Sequence, residues 1–269
     1  DFIVTEQGKM LTLLLLHSLD ENRLILEEIC LPQDKLKTCK KELSWQEWLL
    51  NNAPGHTSWL MYEIDLKENT LNECYSFSAN SRLQVSAEED FLFLKLLNQP
   101  LTRLPKDQRK KIGPPPPEGE EDYRALWSPP LIRDGQEQKK IEFAVYRLLW
   151  PADNSLLAEK KLDLYFAKNT TFPLPYWVQV QGDHLQVILR TVDSGSQLVS
   201  PKNQLPRPLP EFSAAQKFSA AGANIKLKAP AYYKQFELFA IDISSDSHQM
   251  TPLVCQTVHQ ANDSCYQLV

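Results

Sequence analysis

Apolar residues in this chain recur mostly at every second position, the spacing of a strand with one face in a core. Leu60, Tyr62, Ile64 and Leu66 alternate with Trp59, Met61, Glu63 and Asp65; a turn at 67–70 then leads to Leu71, Tyr75 and Phe77 on a return strand. Residues 11–16 are apolar on both faces, which predicts a strand covered on both sides. Asp20-Glu21-Asn22 turns that strand back into 23–30, and Pro32 ends the hairpin. Strands are expected again at 141–150, 162–166, 176–181, 184–192, 225–228, 232–243, 253–258 and 264–269. Gly182-Asp183 has the form of a two-residue type II′ hairpin loop, whose twist matches that of the strands. Asp193-Ser194-Gly195 reads as another turn, and 201–210 as a proline-rich loop.

Helical spacing is confined to three short stretches, each opened by a capping box in which a serine hydroxyl and an acid or amide three residues on satisfy each other's backbone amides. Ser44 and Glu47 precede Trp45, Trp48 and Leu49 on one face, with Pro54-Gly55 as a stop. Ser86 and Glu89 open a helix over 87–97 that is apolar nearly all round and therefore expected to be buried. Ser213 and Gln216 start a third, which Gly222 ends. Hairpins joined by polar turns, with no βαβ alternation, predict a mainly β protein. Its antiparallel, sandwich-like sheets would lie in two β-rich halves with two or three short accessory helices.

The halves are separated by a charge-segregated stretch, 100–130. A basic cluster (Arg103, Lys106, Arg109, Lys110, Lys111) comes first, then Pro114 to Pro117, then an acidic cluster (Glu118, Glu120, Glu121, Asp122). Four consecutive prolines fix φ and lack backbone donors, so no helix or central strand passes through them. The segment must run on a surface as a linker, strap or docking element, which sets the expected boundaries at 1–99, 100–130 and 131–269. Tyr123, Leu126 and Trp127 are the residues expected to anchor it by burying.

Composition narrows the function classes. With 8 glycines and 19 prolines, phosphate-cradling loops and dinucleotide folds are disfavoured. A net charge of −5, mixed in sign, does not suggest nucleic-acid binding. No run approaches the roughly 18–20 apolar residues of a transmembrane helix. The chain begins at Asp1 without methionine, which leans the expectation towards an exported protein, secreted or of the cell envelope; a trimmed start fits equally. Five cysteines include no C-x-x-C pair, and no histidine spacing suggests a metal, so neither metal nor other cofactor is expected. Cys255 and Cys265 flank a turn and are a candidate bridge, Cys30 and Cys39 a weaker one; the alternative is five reduced, partly buried thiols.

Catalytic signals are thin. His56, in a loop between a helix and a strand, is the natural candidate for a base, but there is no G-x-S-x-G elbow or H-E-x-x-H around it. Packing beneath Trp59 accounts for it as well. The paired carboxylates Glu27-Glu28, Glu88-Glu89 and Glu120-Glu121 carry no glycosidase signature. Lys111, Pro114 and Pro117 fit the K/R-x-x-P-x-x-P spacing of polyproline segments that dock in aromatic grooves, although a strap folded onto its own domain fits too. The basic residues 103–111 invite an acidic-lipid reading that Asp107 and the downstream acids weaken. Tyr176 and Trp177, entering a strand after Phe172-Pro173-Leu174-Pro175, make a stacking platform or plug one end of a sheet. The expectation is a non-enzymatic binding or envelope-associated module for a protein or peptide. Its candidate contact residues are Lys111, Pro114, Pro117, Trp127, Tyr176 and Trp177. The rival is a hydrolase on a β scaffold using His56 with a distant acid or nucleophile.

Overall fold

The computed structural model of the chain describes residues 1–39, 43–83, 92–139, 141–153, 157–168, 170, 172–181 and 187–206, and six strands between 211 and 268. The early alternation gives β1 (Phe2–Gln7), β2 (Met10–Leu19) and β3 (Arg23–Pro32). Helices α1 (Gln33–Cys39) and α2 (Trp45–Leu50) follow, then β4 (Ser58–Asp65), β5 (Thr70–Ser76) and the short β6 (Ser81–Arg82). After α3 (Leu92–Leu97) come β7 (Thr102–Arg103), the β8 (Ile132–Arg133)–β9 (Gln136–Glu137) ribbon, β10 (Phe143–Leu149), β11 (Lys161–Ala167), β12 (Trp177–Val180) and β13 (Val187–Gly195). One eleven-stranded antiparallel sheet runs in the order β6-β5-β4-β3-β2-β1-β13-β12-β11-β10-β7. The fold is mainly β, its sheets antiparallel, with three short helices among the described residues.

The two β-rich stretches flanking the proline-rich segment are the two wings of this one sheet. They are joined where β1 pairs with β13, Phe2 opposite Gly195 and Glu6 opposite Arg190. Residues 193–195, expected as a turn, are the end of that strand. A side chain at Gly195 would strike the Phe2 ring within 3 Å and the Asp134 carboxylate, so glycine here serves close approach rather than a change of direction. The boundary between compact units falls later, between Leu205 and Pro206, inside the second proline-rich stretch. The second unit, Pro206–Val269, holds β14 (Glu211–Phe212), β15 (Ile225–Lys228), β16 (Leu238–Ile241), β17 (Met250–Leu253), β18 (Thr257–His259) and β19 (Cys265–Leu268). They form a four-stranded and a two-stranded sheet. The capping boxes at 86–89 and 213–216, the 182–183 loop, His184 and the 255–265 bridge fall outside the described residues, and α3 is described only from Leu92.

The sheet is covered on both faces, which explains the run of leucines in β2. Leu11, Leu13 and Leu15 join Phe2, Val4, Ile29, Leu31 and Trp59 in a cluster capped by Trp48, Leu49 and Ala53 of α2 and its exit. Leu14 points the other way, into a larger cluster with Ile3, Leu24, Leu26, Tyr62 and Ile64. Residues of β10 to β13 and of α3, among them Val145, Leu164, Val178, Leu189 and Leu94, belong to that same cluster. The capping box of α2 forms as its sequence predicts: Ser44 Oγ accepts from the Glu47 amide (3.2 Å), and Glu47 Oε2 from the Ser44 amide (2.8 Å). Cys30, Cys39 and Cys74 are free thiols.

Two adjacent acids in β3 face opposite layers and meet opposite fates. Glu27 is 0% exposed yet fully provided with donors. Trp59 Nε1 donates to Oε1 (2.5 Å), Ser200 Oγ to Oε1 (2.8 Å) and His17 Nε2 to Oε2 (2.6 Å). His17 reaches it because it is the extra residue of a β-bulge: β2–β3 pairing jumps from Leu16–Leu26 to Ser18–Ile25. Glu28, on the opposite face, accepts from Tyr62 Oη at 3.2 Å and from the Cys30 thiol at 3.6 Å. Burial pushes its carboxyl above the ordinary 4.5, and these two bonds pull it only part of the way back.

Replacing Glu27 by alanine strands three buried donors and is expected to cost about 3 kcal/mol of unfolding free energy in urea titration. A loss under 1 kcal/mol would show that the cluster is not structurally coupled. Glu28→Gln acts in the other direction. The folded Glu28 holds its proton more tightly than the unfolded one, so its contribution to stability falls as pH rises above the unfolded value near 4.5. The variant should therefore exceed the parent in stability at pH 7, with the gain vanishing by about pH 4. Chemical denaturation at the two pH values checks it.

Candidate functional site

The proline-rich strap is fastened by its own polar groups. Thr102 and Arg103 form β7 against Arg147 and Tyr146 of β10, and the Leu104 amide donates to the Val145 carbonyl at 2.9 Å. Arg109 then spends its guanidinium on backbone: Nε and Nη2 donate to the Leu104 carbonyl (both 3.1 Å) and Nη1 to the Phe143 carbonyl (3.2 Å). Beyond it the chain doubles back, with Lys111 bridged to Leu126 and the Trp127 amide bonded to the Lys110 carbonyl at 2.8 Å. Asp122 closes the loop, accepting from Lys111 Nζ (2.9 Å) and Arg124 Nε (2.8 Å); these bonds, Arg124 first, hold its carboxyl well below the usual carboxylate range. The prolines occupy the outer limb of this loop. Pro114 and Pro117 are exposed.

Between the strap and the β10–β11 wing the described residues enclose a cleft of about 500 Å³. Its walls carry Arg103, Lys106, Arg109 and Lys168 against a single carboxylate, Glu142. Phe143, Tyr165 and Trp127 supply the aromatic surface. Trp127 meets Tyr165 and Trp177 edge-on, with ring centroids 5.4 and 5.5 Å away, and Lys110 Nζ sits 4.5 Å over its face. The floor is stiffened by its neighbours on the same face of the sheet: Asp163, buried beside Tyr165 in β11, is held by both arms of Arg147 (2.7 and 2.9 Å) and by Gln181. Burial, then the Asp163 charge, pushes the Tyr165 hydroxyl up to about 12, so it stays protonated and takes a bond from Gln179 Nε2 at 3.1 Å. Glu142 is tied to Lys168 at 2.6 Å and its carboxyl is held below the ordinary value by Lys168 first and, more weakly, by the charge of Lys106, whereas Arg103 and Arg109 form no ion pair among the described residues. Its described lining holds no histidine or cysteine, and no hydrogen bond joins the Ser128 hydroxyl to a basic side chain among the described residues.

Of the contact residues chosen from sequence, Trp127 lines the cleft and Trp177 backs it; the structure brings these two together. Tyr176 is buried rather than offered to a ligand, and Lys111 is engaged with Asp122 inside the strap. Pro114 and Pro117 lie outside the cleft lining. Tyr123, expected to bury as an anchor, is 86% exposed, because Asp122 and Arg124 on either side turn inward to the ion pair and leave it outward. His56 packs edge-on against Trp59 (5.4 Å) with Nδ1 bonded to the Ala53 carbonyl at 2.8 Å. Among the described residues a serine, an acid and a histidine converge at Ser200–Glu27–His17. There the carboxylate, not the imidazole, stands between the other two, so the histidine is not placed to take the serine proton. Cys30 and Cys74 are pushed up to about 11 by burial and then by the Glu28 charge, which suppresses the thiolate. Among the described residues no group of metal-ligating side chains gathers, and no helix is long and apolar enough to cross a membrane.

Fold and site together define a mainly β, antiparallel protein carrying a basic, aromatic-floored cleft beneath a proline-rich strap. The family described as CT021 protein matches residues 12–139, a span that runs from Thr12 within β2 through β9 and contains the whole strap. The chain is also similar to the 2.0 Å resolution structure of the hypothetical protein CT021 from Chlamydia trachomatis. The two are 19% identical over 77% of this chain and 92% of that chain, with a TM-score of 0.52, a likeness of fold. No curated protein matches the chain.

Arg109→Ala removes three bonds to two carbonyls and should release the strap locally. Hydrogen exchange at the Leu104 and Trp127 amides is expected to speed up about tenfold or more, with the β2–β3 amides unchanged. Exchange that is unaltered at both strap amides would show that β7 alone fastens it.

Proposed function

We propose that the protein is a non-enzymatic binding module that seats a segment of a protein partner in the cleft between strap and sheet. The observation that carries this reading is the cleft's construction. Four cations against one carboxylate, two of them arginines with no ion pair among the described residues, and an edge-packed aromatic floor surround a volume in the range of ligand-binding sites whose described lining has no histidine or cysteine. Its floor is held by buried hydrogen bonds and ion pairs, so little ordering is required when a ligand enters. The family match spans the strap, in keeping with a role for that segment shared by similar chains.

Hydrolysis by His56 receives less support, since its ring is committed to a backbone carbonyl and to Trp59. Selection of random displayed peptides on the immobilised chain should yield binders that compete with one another. They should lose about tenfold or more in affinity on Trp127→Ala, the typical cost of truncating a central aromatic contact. Binders indifferent to Trp127, or none at all, would remove this reading. Activity against a hydrolase panel that disappears in His56→Ala at unchanged stability would put the rival in its place.

A further inference from the structure

We infer, resting on the cleft as a binding site, that its occupant is an acidic stretch of a partner protein. Two or more neighbouring Asp or Glu side chains would reach Arg103, Lys106 and Arg109. These three cations line the cleft from β7 and the turn that follows it, and the one lining carboxylate, Glu142, is bonded to Lys168 and only weakly influenced by Lys106, so positive charge stays in excess. Arg109 is the sharpest indication. Its guanidinium is half-buried and immobilised by three hydrogen bonds to two carbonyls, which orient it without cancelling its charge. A positioned, partly desolvated cation of this kind gains most from an entering carboxylate.

Three features separate this occupant from others. The outward carbonyls of β10 at Phe143 and Val145 already accept from Arg109 and Leu104, so a partner strand has no free acceptors there. Recognition must pass through side chains. A nucleobase needs an open ring face, but Lys110 covers Trp127, and Tyr165 and Phe143 are buried. A free phosphate ion would fill little of about 500 Å³ and would leave Leu126, Ile141 and Trp127 uncovered, whereas the stems of a peptide would lie against them.

Isothermal titration of the full chain with the acidic peptide Ac-EEDYEE-amide, its amide counterpart Ac-QQNYQQ-amide, inorganic phosphate and a short single-stranded oligonucleotide tests this. The acidic peptide should bind at least about tenfold more tightly than the amide peptide. It should weaken several-fold between low and high salt, and lose about tenfold in Arg103→Ala/Lys106→Ala, two exposed positions whose removal leaves thermal stability unchanged. Equal binding of the two peptides would overturn the acidic specificity and leave the binding module standing. So would an inert acidic peptide alongside display-selected peptides that depend on Trp127. Phosphate or oligonucleotide binding as tight as the acidic peptide would assign the cleft to those anions instead. Failure of every ligand, selected peptides included, would remove both readings.

Discussion

A carboxylate with no access to water is tolerated inside a sheet only where donors replace the solvent it has lost. Glu27 meets that condition with side chains from three places: a bulge in β2, the start of β4, and Ser200 after β13. Its oxygens therefore dictate more than local packing. His17 can reach them only if the β2–β3 register slips by one residue, and Ser200 only if the chain leaving β13 runs back across the sheet. That returning segment is pinned elsewhere as well, by the reciprocal bonds of the Gln46 amide to the Val199 backbone (2.7 and 2.8 Å). Lys202 then lies over Trp59 and Phe77 at 5.3 and 5.4 Å. One face of the sheet is thus closed by a helix and a returning loop segment organised around a single acid. The other wing is left to carry the cleft.

That division assigns different physics to the two wings. Around β1 to β4 polar groups are few, buried and mutually satisfied, and serve to fix register. Around β7, β10 and β11 charged groups are numerous and half-solvated, and Arg103 and Arg109 face the cleft without an ion pair among the described residues. The proline-rich strap connects these regimes. Its extended backbone contributes few internal hydrogen bonds, so its position depends on Arg109, on the Lys111–Asp122–Arg124 ion pairs and on Trp127. A surface that binds can be assembled from such a segment because its outward side chains are not needed to hold it.

Much of the scaffold was legible because it is local. The two-faced leucines of β2, the alternation through β4 and the Ser44–Glu47 box each follow from spacing alone, and each forms. Gly195 misled because glycine signals either a turn or a close approach, and only the Phe2 ring, 193 residues earlier, decides which. Tyr123 misled because an aromatic beside prolines suggests burial, while the charged residues on either side of it claim the inward direction. Trp127 and Trp177 were recognisable as candidate contact residues, but the wall they serve was not. Arg103 and Lys168 are 65 positions apart and meet only through the β7–β10–β11 pairing. Glu27 offered one faint signal, an acid amid an apolar strand; its donors lie 10, 32 and 173 residues away.

The seam between β1 and β13 has a consequence for biogenesis. β1 is complete by Gln7, yet the partner for its second edge ends at Gly195, so a growing polypeptide displays a bare, apolar edge until nearly two hundred residues have been made. Such distant pairing slows closure and lengthens the interval in which nascent chains can stick to one another.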